Sequence, residues 1–126
     1  MLSRISTTQR RWAFWLCLGA VLVLALMRPT HFMPSTGWDK ANHALAFAVL
    51  AILGCLSYPG RGPRVLAGLL AYGALIELLQ TLTGYRSGEW LDLVADTIGL
   101  ALGWQIARRL PAANPLRTAP TDLRGR

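Results

Sequence analysis

"IELLQTLTGYRSGEWLDLVADTIG" (residues 76–99) decides how this chain folds. Its flanks, "VLAGLLAYGAL" (65–75) and "LALGW" (100–104), are nearly pure hydrocarbon, yet the stretch itself holds Glu77, Gln80, Arg86, Glu89, Asp92 and Asp96. Carboxylates inside apolar runs need either a solvated helix face or an interior where polar groups converge. The rest of the chain decides between the two.

The 126 residues suffice for one domain. Hydrophobic residues make up 53% and charged residues 15% of the chain, the latter well below the roughly 25% typical of soluble domains. Thirteen Lys and Arg against six Asp and Glu give a net charge of +7. A nucleic-acid-binding domain would gather such charge on one folded face. Here the positive residues fall in short clusters between long uncharged runs, so no nucleic-acid partner is expected, and the expected partner is the lipid bilayer.

Four segments carry the apolar content: Trp12 to Met27, Ala41 to Tyr58, Val65 to Tyr85 and Trp90 to Ala107. A bilayer span needs about 20 residues, with roughly 17 as the lower limit. The first segment is slightly short, and the fourth, with Asp92 and Asp96, is the weakest in hydropathy. Soluble four-helix bundles show a polar face along each helix, and the first three segments have none. The fold class expected is therefore all-α, an integral membrane four-helix bundle. Residues 1–11 read as a basic N-terminus, 12–109 as the four-helix domain and 110–126 as a Pro-rich, disordered tail. The first segment ends "ALMRPT", without the small residues of a signal-peptide cleavage site, so it reads as a retained helix.

Loop charge gives the orientation. With the N-terminus inside, Arg4, Arg10, Arg11, Arg61, Arg64, Arg108, Arg109, Arg117, Arg124 and Arg126 lie on the inner side, against Arg28, Lys40 and Arg86 outside. This bias predicts that both termini are cytoplasmic. Trp12, Trp15, Tyr58 and Trp104 then fall near the inner interface, and Trp38, Tyr85 and Trp90 near the outer one. Cys17 and Cys55 lie in inner halves of helices, on the reducing side, and read as packed thiols.

Under this topology Asp39, Glu77, Glu89, Asp92 and Asp96 gather at the outer end. Helical rise places Glu77 and Asp96 each about 10 Å deep, and Gln80, Asp92 and His43 about 5–6 Å deep. Gly73, Glu77, Gln80 and Gly84 share one narrow face. Asp92, Asp96, Gly99 and Gly103 repeat that spacing on the fourth helix, and His43, Phe47, Leu50 and Gly54 on the second. Polar and small residues on one stripe predict inward faces, and Gly99-x-x-x-Gly103 predicts a close helix approach. The bland reading is that these groups only glue the bundle together. Asp39 also suits a helix N-cap, and Glu89 suits a first turn.

"WDKANHALAF" (38–47), "IELLQ" (76–80) and "YRSGEWLDLVADTIGLALG" (85–103) together resemble the VanZ-like family of small bacterial membrane proteins, over roughly residues 12 to 108. The positions that carry the resemblance are Asp39, Lys40 and His43, then Glu77 and Gln80, then Arg86 and Asp92, then Gly99 and Gly103. Asp96 departs from it, since members often have Asn there. The resemblance implies a four-helix domain in the bacterial cytoplasmic membrane that acts at the cell envelope. The family's namesake is associated with low-level teicoplanin resistance without remodelling of the cell-wall precursor.

Three function classes follow. In the first, the residues form a binding module: Lys40 and Arg86 meet phosphate or carboxylate, Arg in bidentate geometry. Asp39, His43, Glu77, Gln80, Asp92 and Asp96 complete an outward polar pocket for an envelope lipid, precursor or glycopeptide. The second is a small membrane enzyme acting on a lipid-linked phosphate. The absence of H-E-x-x-H, G-x-S-x-G or paired cysteines weighs against it. The third is an assembly role with a second copy or another membrane protein as partner. The sequence assigns no cofactor and no metal, because helix faces alone do not define a full ligand set.

Overall fold

Helix α1 (Thr7–Leu26) starts where Ser6 caps it. The Ser6 hydroxyl accepts from the Gln9 amide at 3.2 Å, and the Gln9 side-chain oxygen accepts from the Ser6 amide at 3.0 Å. This reciprocal pair satisfies two of the orphan donors of a helix start. The cap moves the start five residues ahead of the apolar run at Trp12, so Arg10 and Arg11 are helical. Three more helices follow: α2 (Trp38–Ser57), α3 (Gly62–Thr83) and α4 (Trp90–Arg109). Pro63 sits in the first turn of α3, where its missing N–H costs nothing. Gly84 ends that helix with φ of 76°, the left-handed cap that glycine adopts without strain.

The computed structural model describes residues 5–27, 38–84 and 90–110, with the backbone alone at Trp38 and Asp39. Among the described residues there is no strand, as an all-α bundle requires. Because α2 begins at Trp38, Asp39 lies within its first turn rather than at the N-cap. Glu89, Arg86 and the Pro-rich tail lie outside the described residues.

The helices alternate in direction. The Arg10 guanidinium, near the start of α1, donates to the Leu56 carbonyl at the end of α2, at 3.2 Å. A Cβ added to Gly62, at the start of α3, would lie 3.2 Å from the Trp104 indole nitrogen near the end of α4. Helices α2 and α4, though far apart in sequence, therefore run parallel and side by side. Their backbones touch: a Cβ on Gly99 would run into the Ala44 carbonyl, and one on Gly103 into the Ala48 carbonyl. This is the close approach that small residues permit between membrane helices. Phe14, Phe47, Leu50, Ala51, Leu69, Ile76 and Leu100 form the core. Helix α1 is tied to α3 by the Tyr72 hydroxyl, which donates to the Leu18 carbonyl, and by the Gln80 amide, which donates to the Ala25 carbonyl at 3.0 Å.

Three helices, over Thr7–Leu26, Lys40–Ser57 and Gly62–Thr83, are long and apolar enough to cross a membrane. Helix α4 has 20 residues, as many as α1, but a lower hydropathy. The reason is directional. Its Asp92, Asp96, Gly99 and Gly103 are buried in the bundle, whereas Leu91, Val94, Ile98, Leu102 and Ile106 are exposed along its outer face. Trp12, Leu16 and Val23 on α1, Leu45 on α2 and Leu78 and Leu82 on α3 are exposed as well. Polar groups inside and large apolar groups outside invert the soluble pattern, and lipid is the solvent that suits such a surface. The chain is a membrane protein.

Candidate functional site

The parallel seam between α2 and α4 sets the site. With Ala44 against Gly99, their neighbours toward the helix starts, His43 on α2 and Asp96 on α4, come face to face. His43 Nδ1 lies 3.0 Å from Asp96 Oδ1. An ionised carboxylate only accepts hydrogen bonds, so with Asp96 charged the imidazole carries its proton on Nδ1 and donates. Nε2 is then the basic ring nitrogen. One turn further out, Lys40 Nζ lies 3.7 Å from Asp92 Oδ1, which repeats the α2–α4 rung.

Asp96 is completely buried. One of its oxygens meets His43, while the other, Oδ2, is buried with no hydrogen-bond partner. Oδ2 faces α3 at Gly73, where an added Cβ would lie only 2.8 Å from it and 3.3 Å from the Phe47 ring. Any larger residue at position 73 would occupy the space of the carboxylate. The buried Phe47, whose ring lies beside the same position, closes the site from the core side. Glu77 follows Gly73 by one helical turn, on the same side of α3. His43, Glu77 and Asp96 each offer a ligand-type atom, and these atoms lie within 4.8 Å of one another. An ionisable group in such surroundings is costly unless paired.

Three of the residues expected from the sequence thus come together, with His43 and Asp96 in contact and Glu77 within 4.8 Å of both. Lys40 and Asp92 form the next rung toward the helix starts. Gln80 does not join the trio through its amide nitrogen, which turns to the Ala25 carbonyl of α1. The Asp39 side chain and all of Arg86 lie outside the described residues. Sequence spacing had placed Gly73 on the polar stripe, but only the fold shows that it makes room for Asp96.

The chemistry open to the trio is narrow. An imidazole oriented by a carboxylate can take up a proton at its other nitrogen. One nitrogen and two carboxylates also form a ligand set of the borderline-hard type. The described thiols take no part: Cys17 and Cys55 are both free and lie elsewhere in the bundle.

A protein-family model described as VanZ/LLP1 matches residues 3–111 of the chain. No curated protein and no solved structure gives a significant match.

Proposed function

The chain belongs to the VanZ/LLP1 family, and from that membership we propose a multi-pass protein of the bacterial cytoplasmic (inner) membrane that binds an envelope ligand at its outward-facing polar end. The ligand is the head group of an envelope lipid, a cell-wall precursor or a lipophilic glycopeptide. A link to teicoplanin-type resistance is the physiological form this would take. The charge bias of the loops supports cytoplasmic termini, with the Arg10, Arg11 and Arg108 end inside and the Lys40, His43, Glu77, Asp92 and Asp96 end outside.

One observation carries the binding reading. Three helices bring His43, Glu77 and Asp96 together, and Asp96 is fully buried with one oxygen unbonded. Stability alone favours apolar packing at such a place, since buried ionic groups are often replaced by hydrophobic ones at no loss. In this reading Lys40 and Arg86 attract the anionic part of the ligand. The carboxylates accept hydrogen bonds from its hydroxyl or amide groups, and the apolar outer faces hold its tail.

The test is native mass spectrometry of the protein extracted gently from its own membrane. Wild type should carry an envelope lipid that a folded Glu77→Ala, Arg86→Ala variant lacks. Equal retention by both proteins would sink the binding reading. Cysteine labelling tests the orientation: an impermeant reagent on intact cells should modify Gly88→Cys and not Arg61→Cys. A second reading, a membrane enzyme acting on a lipid-linked phosphate, draws support from the 3.0 Å His43–Asp96 contact, which orients the imidazole. Release of phosphate from a polyprenyl phosphate by wild type, but not by His43→Gln, would favour it over binding alone.

A further inference from the structure

We infer that His43, Glu77 and Asp96 form a binding site for one divalent first-row transition metal, with Zn2+ the best-suited ion. The inference rests on the reading of this end as a binding site and names what completes it.

The donor set comes first. Each of the three residues contributes one atom, from three different helices, and the atoms lie within 4.8 Å of one another. Ligands held at about 2.1 Å from Zn2+ sit roughly 3.0–3.4 Å apart. The His43–Asp96 separation of 3.0 Å is already in that range. Glu77 has a long side chain whose carboxylate oxygens are both buried, and a shift of roughly 1–1.5 Å brings one of them to ligand spacing.

The second observation is independent of the first. Asp96 has no exposed surface, and its Oδ2 is buried without a hydrogen-bond partner. That atom packs against α3 at Gly73, the residue whose missing side chain makes room for the carboxylate. A carboxylate with one oxygen held and the other without a donor is the arrangement a cation satisfies. Two carboxylates neutralise a divalent ion, which matters in a low-dielectric interior.

The ligand types choose the metal. Mg2+ and Ca2+ take oxygen sets, whereas an imidazole suits Zn2+ and its first-row neighbours. A metal taking Nδ1 replaces the hydrogen bond that Nδ1 makes to Asp96 Oδ1 without metal, and the ring proton then resides on Nε2 instead. Three protein ligands leave a coordination position open. An anionic oxygen, from the phosphate or carboxylate of a head group, would fill it.

The experiment uses the full chain, without an affinity tag, in detergent. The protein is stripped with a chelator, reloaded with Zn2+ and desalted, and metal per chain is measured by mass spectrometry. Wild type and His31→Ala, which changes the chain's other histidine, should retain about one ion per chain. His43→Gln and Asp96→Asn should each lose at least nine-tenths of it with an unchanged helical circular dichroism spectrum. Folded wild type without metal, or full loading of His43→Gln, overturns the site. Should the variants fail to fold, X-ray absorption of loaded wild type decides. A nitrogen and oxygen shell at roughly 2.0–2.2 Å with one imidazole supports it, and sulfur at about 2.3 Å overturns it. Lipid is measured on the same samples. A lipid kept by wild type that takes up no Zn2+ ends the metal proposal alone and leaves the binding reading standing. Zn2+ uptake by a chain that carries no lipid supports the metal site and counts against head-group binding.

Discussion

The two ends of the bundle hold charge in opposite ways. At one end, Arg10 and Arg11 donate to the carbonyls of Leu56 and Ser57, both at 3.2 Å, where α2 runs out of intrahelical donors. The Arg11 guanidinium lies 4.8 Å over the Tyr58 ring, and Arg108 lies 4.9 Å over Trp104. Trp15 donates to the Tyr58 hydroxyl at 3.1 Å. These charges sit at the rim and complete hydrogen bonds that the fold itself leaves open, although the Arg10 Nε is also buried without a hydrogen-bond partner. At the other end, Asp96 is completely buried and keeps an oxygen without a donor. The first arrangement is explained by folding. The second is more costly than folding needs, and that difference points to function.

The largest effect should come from the seam on which the costly end depends. In Gly99→Leu the new side chain would run into the Ala44 backbone, which has no flexible tip to move aside. Overpacking typically costs about 1–3 kcal/mol, and here the upper end or beyond is expected. Recovery of folded, monodisperse protein should collapse, and ligand retention should go with it. Normal recovery would mean that α2 and α4 do not touch as described.

An intermediate effect should come from the rim. Arg10→Ala with Arg11→Ala leaves two helix-end carbonyls without their charged donors. Such bonds contribute about 1.5–3 kcal/mol when shielded, and exposure of Arg11 lowers the expectation to about 1–2 kcal/mol for the pair. The thermal midpoint should fall while ligand retention stays at the wild-type level. A loss of ligand without loss of stability would blur the contrast between the ends.

The smallest effect separates Gln80 from the site. Its amide bonds Ala25 on α1, and interhelical hydrogen bonds in membranes average about 0.6 kcal/mol. Gln80→Leu should cost about that much in unfolding measurements and leave ligand retention intact. Lost retention would return Gln80 to the binding group.

Much of this was legible in the residues. Apolar runs marked all four helices, and the stripe Asp92, Asp96, Gly99, Gly103 is buried along its whole length. On α2, Phe47 and Leu50 are likewise buried as their spacing with His43 requires. The stripe on α3 split. Glu77 and Gln80 differ by about 60° around a helix, and on a helix wedged between α1, α2 and α4 that angle decides which neighbour each one meets. Glu77 turns toward His43 and Asp96, within 4.8 Å of both, while Gln80 meets α1. Spacing on one helix does not contain the direction of the next. The start of α1 was hidden for a different reason: Ser6 and Gln9 extend the helix through polar residues, where hydropathy is silent. The low hydropathy of α4 has a related cause, because an average over a helix loses the side on which its aspartates lie.

The central claim is that Asp96 serves a ligand rather than the bundle, and Asp96→Asn tests it most directly. The retained lipid would be measured on the purified protein, and the thermal midpoint on the same preparation after lipid and metal are stripped, since a bound ligand stabilises the folded state. Removing a buried charge while keeping the side chain's shape should leave the midpoint unchanged or raise it, since sites that bind often trade stability for function. Retained lipid should fall at least severalfold. A lower midpoint with lipid fully retained would contradict the account and make Asp96 a structural residue.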